Sequence, residues 1–259
     1  VNIDSLLWLA GTAGETVVVV LLLYRRIWRK FPFFFAYSAW TLIGGAVVFE
    51  LFRRHFAGYA DAYLILMLGD SALLFGVLVE LGWSILRPLR PSLSRRTPFV
   101  IGGLILVLGA AIWPFATVKA APGVPSNIAA LMHLEQTFYV LRVLVFLALA
   151  GSSQFLSIGW RDRELQIATG LGFTSLVSLV VAMLHSYLSM RGQYHHLSEI
   201  VIASYLGSLV YWTVSFCQKE EERREFTPQM QSLLLSVAGA ARSTRIAMSQ
   251  PAAPVRKND

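Results

Sequence analysis

Glu15, Asp70, Glu135, Tyr139, Arg142 and His185 are the side chains in this sequence that combine reactive chemistry with apolar surroundings. Glu135, Tyr139 and Arg142 fall within the stretch MHLEQTFYVLRVLVFLALAG, residues 132–151. Their spacing of four and three residues puts them on one face of a helix, with Glu135 and Arg142 about 10 Å apart along its axis. Ionised groups are expensive in hydrocarbon. Inside a membrane they face the interior of a bundle, pair with one another, and mark ligand, ion or proton sites. Asp70 and Glu15 interrupt two other apolar runs, and His185 shares a helical face with Thr174 and Ser178. Three carboxyl groups against one arginine do not balance. Either a carboxyl stays protonated in a desolvated layer, or a cationic ligand, a cation or a proton visits it.

A plainer reading of the same residues is interhelical glue, each polar contact contributing about 0.6 kcal/mol on average. The four-residue spacings Ala10/Gly14 and Ser204/Ser208 suit ordinary close packing of membrane helices. Ser204, Ser208, Tyr211 and Ser215 form a further polar stripe, and Glu80 stands apart from the other acids, near the opposite end of its run.

Metal chemistry has weaker support. His133, His185 and Glu199 are candidate ligands expected at similar depth, with His195 and His196 nearby in the loop YHHLSE. A zinc site needs three or four such groups converging at about 2.0–2.2 Å from the ion. The spacings HxxxH and HExxH that would bring them together are absent, and a haem held by two histidines has no stronger pattern behind it. His133 lies about 160° around the helix from Glu135, so it stands outside the acidic face. Retinal is excluded: its Schiff base needs a lysine in the membrane, and Lys30, Lys119, Lys219 and Lys257 all lie outside the apolar runs. Cys217 is the single cysteine, so neither an internal disulfide nor a CxxC centre is available. No catalytic motif emerges, which favours a non-enzyme.

The elements that must position these residues follow from composition. The chain has 259 residues, 56% hydrophobic and 14% charged, where a soluble domain carries about a quarter charged residues. Spanning roughly 30 Å of hydrocarbon takes about 20 mostly apolar residues. Seven runs qualify, at about 5–25, 32–52, 62–86, 98–118, 127–155, 165–189 and 198–218. The expected fold is therefore an all-α integral membrane protein, a seven-transmembrane-helix bundle occupying residues 1–218. Spans 1–3 and 5–7 run in the same directions, so a parallel repeat is geometrically allowed. It would align Glu15 with Glu135, but it leaves Asp70 opposite Tyr205, and the spacing drifts.

The net charge of +7 would suggest nucleic acid in a soluble protein; here it reads as topology. The first run is preceded by VNID and followed by YRRIWRK, the reverse of a cleaved signal peptide. Alternate connections hold Arg25, Arg26, Arg29, Lys30, Arg87, Arg90, Arg95, Arg96, Arg161 and Arg163, ten basic residues, against four (Arg53, Arg54, Lys119, Arg191) on the other side. The positive-inside rule then puts the N-terminus outside and the C-terminus in the cytoplasm. Trp28, Trp83, Trp113 and Trp160 sit at expected span ends, as interfacial aromatics do.

Beyond the last run, Thr227 suits an N-cap and Pro228 the first helical position. Met230, Leu233, Leu234, Val237, Ala238, Ala241 and Met248 make an apolar stripe that Arg242 and Arg245 avoid. Residues 219–248 are thus expected to form a cytoplasmic amphipathic helix, on the membrane surface or against a protein partner, and residues 249–259 a disordered tail.

The heptahelical layout resembles receptors and retinal proteins in outline only. Span 3 ends in VELGWSILRP, without Asp-Arg-Tyr, and span 7 lacks Asn-Pro-x-x-Tyr. The functional expectation is a multi-pass inner (plasma) membrane protein with a polar, outward-facing intramembrane cavity that binds a small ligand or cation, as a sensor or receptor-like protein. A small-solute or proton-coupled transporter is the alternative, followed by a metal-dependent membrane hydrolase. The expected partners are the lipid bilayer, the ligand and a cytoplasmic protein at the C-terminal helix, with no nucleic acid.

Overall fold

In hydrocarbon there is no water to satisfy backbone N–H and C=O groups, so an apolar run must pair them within itself and becomes a helix. The computed structural model describes residues 3–53, 59–85, 97–115, 126–152, 162–188 and 194–218. Among these there are no strands, and the helices are α1 (Ile3–Tyr24), α2 (Pro32–Arg53), α3 (Tyr59–Ile85), α4 (Thr97–Ile112), α5 (Ser126–Ser152), α6 (Arg163–Leu188) and α7 (Tyr194–Cys217). All seven are long and apolar enough to cross a membrane. The stretch at 219–248 and the tail at 249–259 lie outside the described residues, as do the connections holding Arg87–Arg96 and Lys119.

Each helix packs on the next in sequence, and α7 returns to α1, closing a ring; α3 also touches α5 and α6. The most fully buried apolar side chains gather toward one end, where Leu22, Phe31, Phe34, Leu78, Leu81, Leu149, Leu165 and Phe216 are each at most 1% exposed. This is the basic end, beside the turn holding Arg25, Arg26, Arg29 and Lys30. Arg26 makes that turn in the left-handed region (φ 56°), and the following 3-10 turn Ile27–Arg29 tucks Ile27 into the core. α4 is the opposite case. Ile105 is its buried residue, while Leu104, Leu106 and Val107 stay more than 60% exposed, a surface suited to lipid.

Three expectations from the sequence need correction. The fourth run was expected to stay helical to 118, but α4 ends at Ile112 and passes into a 3-10 turn, Trp113–Phe115. Pro114 has no N–H to donate and cannot continue an α-helix. The seventh begins at Tyr194, so His195 and His196 belong to the first turn of α7 and not to a loop. Hydropathy marks the apolar part of a helix, whereas backbone hydrogen bonding continues past it into polar residues. Arg163, counted above among loop charges, opens α6 and is 4% exposed.

Arg163 anchors a polar clasp at the basic end. Its Nη1 donates to Gln166 Oε1 at 2.8 Å and to the carbonyl of Ser215 at 2.7 Å, and its Nη2 donates to the carbonyl of Gln218 at 2.6 Å. The last carbonyls of a helix lack intrahelical partners. Arg163 supplies them for α7, with its guanidinium carbon 5.5 Å from the Phe216 ring centroid. Arg25, at the end of α1, donates to the carbonyl of Cys217 at 2.7 Å. Asp162, Glu164 and Gln166 are buried beside Arg163, and Ser84 of α3 donates to Glu164 Oε1 at 2.5 Å. Four helices, α1, α3, α6 and α7, are therefore tied at one level by charged hydrogen bonds.

Glu80 has a related role. The N–H groups of Phe33 and Phe34, in the first turn of α2 after Pro32, donate to its two oxygens at 3.0 Å each. Those N–H groups have no intrahelical acceptor, and Glu80 of α3 caps them from across the interface. Gly76 makes the approach possible, because a Cβ there would collide with the Phe33 ring. Replacing Glu80 with Leu should cost about 1–3 kcal/mol by orphaning two donors. Glu80→Gln, which keeps one acceptor oxygen, should cost less. Thermal unfolding of the two variants against wild type, in the same lipid nanodiscs, measures both; equal losses would contradict the capping role.

Candidate functional site

A polar layer crosses the bundle beyond the clasp. Arg142 of α5 lies at its centre, 8% exposed, with its guanidinium carbon 5.1 Å from the centroid of Tyr139 one turn earlier. That distance is within cation–π range. Tyr139 Oη donates to Glu135 Oε1 at 2.5 Å. The three residues therefore act as a unit on one face of α5: the phenol spans the gap between carboxyl and guanidinium, which backbone spacing alone leaves open.

Asp70 of α3 lies within electrostatic range of Arg142, which attracts it, and of Glu135, which repels it. Glu15 of α1 accepts a hydrogen bond from Tyr205 Oη of α7 at 2.7 Å. Tyr37 of α2 joins the two halves. It is 7% exposed and within electrostatic range of Asp70, Arg142, Glu15 and Glu135. Thr41, one turn along α2, hydrogen-bonds Tyr205. Carboxyl groups from α1, α3 and α5 and the Arg142 guanidinium thus all lie within electrostatic range of the Tyr37 hydroxyl.

That arginine is incompletely satisfied. Its Nε is buried and has no hydrogen-bond partner among the described residues. A buried donor left unpaired costs about 1–3 kcal/mol, more when charged, so such a group calls for an acceptor. The layer can therefore offer two kinds of recognition: carboxyls for a cation or a hydrogen-bond donor, and a guanidinium N–H for an oxygen acceptor. The hydroxyl of Ser175 on α6 is also buried without a partner.

Of the residues singled out by sequence, Glu15, Asp70, Glu135, Tyr139 and Arg142 are brought into this one layer. The side chain of His185 lies outside those described, as do those of His195 and His196. His133 is placed elsewhere: its Nε2 donates to the carbonyl of Trp113 at 2.8 Å, and its ring stacks on the Trp113 indole at 4.2 Å. It serves as a cap where Pro114 stops α4. Glu199, the third weak metal candidate, is half-buried on α7. Among the described residues, no three His, Cys, Asp or Glu side chains gather as a metal site. The serine stripe on α7 acts in packing: Ser208 Oγ donates to the carbonyl of Gly170 at 2.9 Å and lies 2.7 Å from Thr174 Oγ1.

Tyr37 and Thr41 have no counterpart in the sequence reading, and Tyr205 enters it only as an alignment position opposite Asp70. Hydroxyls carry no charge penalty in an apolar run, so nothing in composition distinguishes them from lipid-facing aromatics. Asp162, Glu164 and Gln166 were hidden differently, by adjoining a basic loop. The signal available for them was the immediate succession of Leu165, Ile167 and Ala168, which places the polar residues in the first turn of a buried helix.

Comparison with family models, with curated proteins and with solved structures finds no match.

Proposed function

We propose that this chain is a multi-pass protein of the inner (plasma) membrane that binds a small ligand or ion in its polar layer, as a sensor or receptor-like protein. The observation that carries the reading is Arg142: a buried guanidinium with an unpartnered Nε, within electrostatic range of Asp70 on a second helix. Residues that merely join helices would be expected to satisfy one another fully. The asymmetry of the bundle supports access from the end opposite the clasp, because the basic end is filled by Leu22, Phe34, Leu81, Leu165 and Phe216. With the basic end cytoplasmic, as the charge distribution indicates, the site faces outward.

The mechanism follows from the helices involved. A ligand bridging Asp70, Glu135 and Arg142 draws α3 and α5 together, while Glu15 and Tyr205 hold α1 to α7. Both α1 and α7 end at the clasp, so a change in their spacing is carried to the end of α7, after which the chain continues into 219–248, the expected contact for a cytoplasmic partner. The ligand need only favour one bundle geometry by its differential affinity.

The test is thermal unfolding of the full chain in lipid nanodiscs against a panel of small ions and polar solutes. A ligand at 100 times its Kd should add about 2.7 kcal/mol to stability, saturably. Asp70→Asn should abolish the gain while leaving the variant folded. If no solute stabilises the wild-type protein, the reading fails. Solute or proton flux into proteoliposomes, lost in Asp70→Asn, would replace the sensor with a transporter.

A further inference from the structure

We propose that the molecule recognised by the polar layer is a small zwitterion, an amino-acid-like compound whose ammonium lies against Asp70 and Glu135 and whose carboxylate accepts from Arg142 Nε. This rests on the ligand-binding reading above and names the ligand's chemistry.

The layer excludes the simpler classes on charge and hydrogen bonding. A bare cation suits Asp70, Glu135 and Glu15, but it meets the Arg142 charge in the same layer and leaves Nε, a buried N–H donor, without an acceptor. A bare anion pairs with Arg142 but is repelled by Asp70 and Glu135, whose carboxyls lie within electrostatic range of each other. Burying a charge is tolerable when it is paired and hydrogen-bonded and costly otherwise. A zwitterion pairs both of its charges and adds no net charge to the layer.

Glu135 and Arg142 flank the phenol of Tyr139, which hydrogen-bonds the first at 2.5 Å and whose ring centroid lies 5.1 Å from the guanidinium carbon of the second. Arg142 is suited to the carboxylate because its planar guanidinium matches two oxygens at once. Glu15, engaged by Tyr205 on the far side of Tyr37, is left as a contact for a longer or more basic ligand.

The experiment compares glycine, β-alanine and γ-aminobutyrate with ethylamine, propionate, sodium chloride and potassium chloride. Each is added at equal ionic strength to the full chain in nanodiscs, and the unfolding midpoint is read. At 100 times its Kd, one of the three zwitterions should raise Tm by roughly 5–10 °C. Ethylamine, propionate and the salts should move it far less at the same concentration. Arg142→Gln should weaken the zwitterion at least tenfold while ethylamine binds as well as or better than before, and Arg142→Lys should restore part of the loss. Circular dichroism and size-exclusion profiles establish that these variants fold; the wild-type comparison needs no variant.

If ethylamine or an alkali cation stabilises wild type as strongly as every zwitterion, the zwitterion assignment falls and ligand binding stands. If propionate alone does so, the assignment falls likewise. If nothing in the panel acts, the zwitterion assignment is overturned; wider solutes then decide the broader reading.

Discussion

Arg163→Ala is expected to lower the unfolding free energy by about 3–5 kcal/mol, the range for removing one member of a buried charged network. Three acceptors each lose a bond at once: Gln166 Oε1 and the carbonyls of Ser215, which keeps the Gln218 N–H at 3.2 Å, and Gln218. The acids beside it, Asp162 at 3% and Glu164 at 2% exposure, stay buried without the neighbouring cation. For a chain of this size the loss corresponds to a fall in Tm of roughly 6–20 °C. Arg163→Lys should lie between the two, because an ammonium keeps the charge but cannot reach three acceptors with a planar fork. Arg25→Ala provides the contrast. Its bond to the Cys217 carbonyl is exposed, and surface polar contacts of this kind contribute within about 1 kcal/mol. The measurement is thermal unfolding in nanodiscs of fixed composition. An Arg163→Ala midpoint within 2 °C of wild type would show that the clasp does not hold the basic end together.

Gly170→Ala is the second substitution with a large expected effect. A Cβ at this position would collide with the indole of Trp212, which is 3% exposed and cannot swing into open space. The indole also donates from Nε1 to the carbonyl of Gln166 at 3.1 Å and packs edge-on against Phe34, with ring centroids 5.2 Å apart. Accommodating one methyl group therefore displaces a ring that joins α7, α6 and α2. Overpacking of this kind costs about 1–3 kcal/mol, and the weakened hydrogen bond adds to it. Gly103→Ala is the control, since a Cβ there meets nothing within 4 Å; it should be neutral or slightly stabilising. The double variant Gly170→Ala/Trp212→Leu should recover part of the stability that the separate losses would remove if they added, because the shorter side chain relieves the collision. Strict additivity would place the cost of Gly170→Ala elsewhere.

Much of the architecture was legible because a membrane imposes a coarse rule. Seven apolar runs of sufficient length become seven helices, and the boundaries at Pro32, Arg53 and Ile85 fall within a residue or two of where hydropathy ends. The grouping of Glu135, Tyr139 and Arg142 was legible for a similar reason, since helical periodicity alone puts them on one face. Arg163 was misread because a charge at the margin of an apolar run looks the same whether it faces water or a buried carbonyl. Glu80 stood out as an anomaly, but its partners, the N–H groups of Phe33 and Phe34, lie on another helix and are backbone groups that no side-chain pattern announces.

What the sequence determined by itself is the number of helices, among the described residues, long and apolar enough to cross a membrane, the clustering of basic residues in alternate connections, and which ionisable side chains interrupt apolar runs. Those properties depend on composition and spacing along one segment. The tertiary structure alone decided the closed ring, the clasp joining α1, α3, α6 and α7, the collision surfaces at Gly76 and Gly170, and the meeting of Tyr37, Thr41 and Tyr205 with the acids around Arg142. Each of these depends on how helices are rotated and set at depth against one another. That arrangement is a property of packing between segments and is written in no one of them.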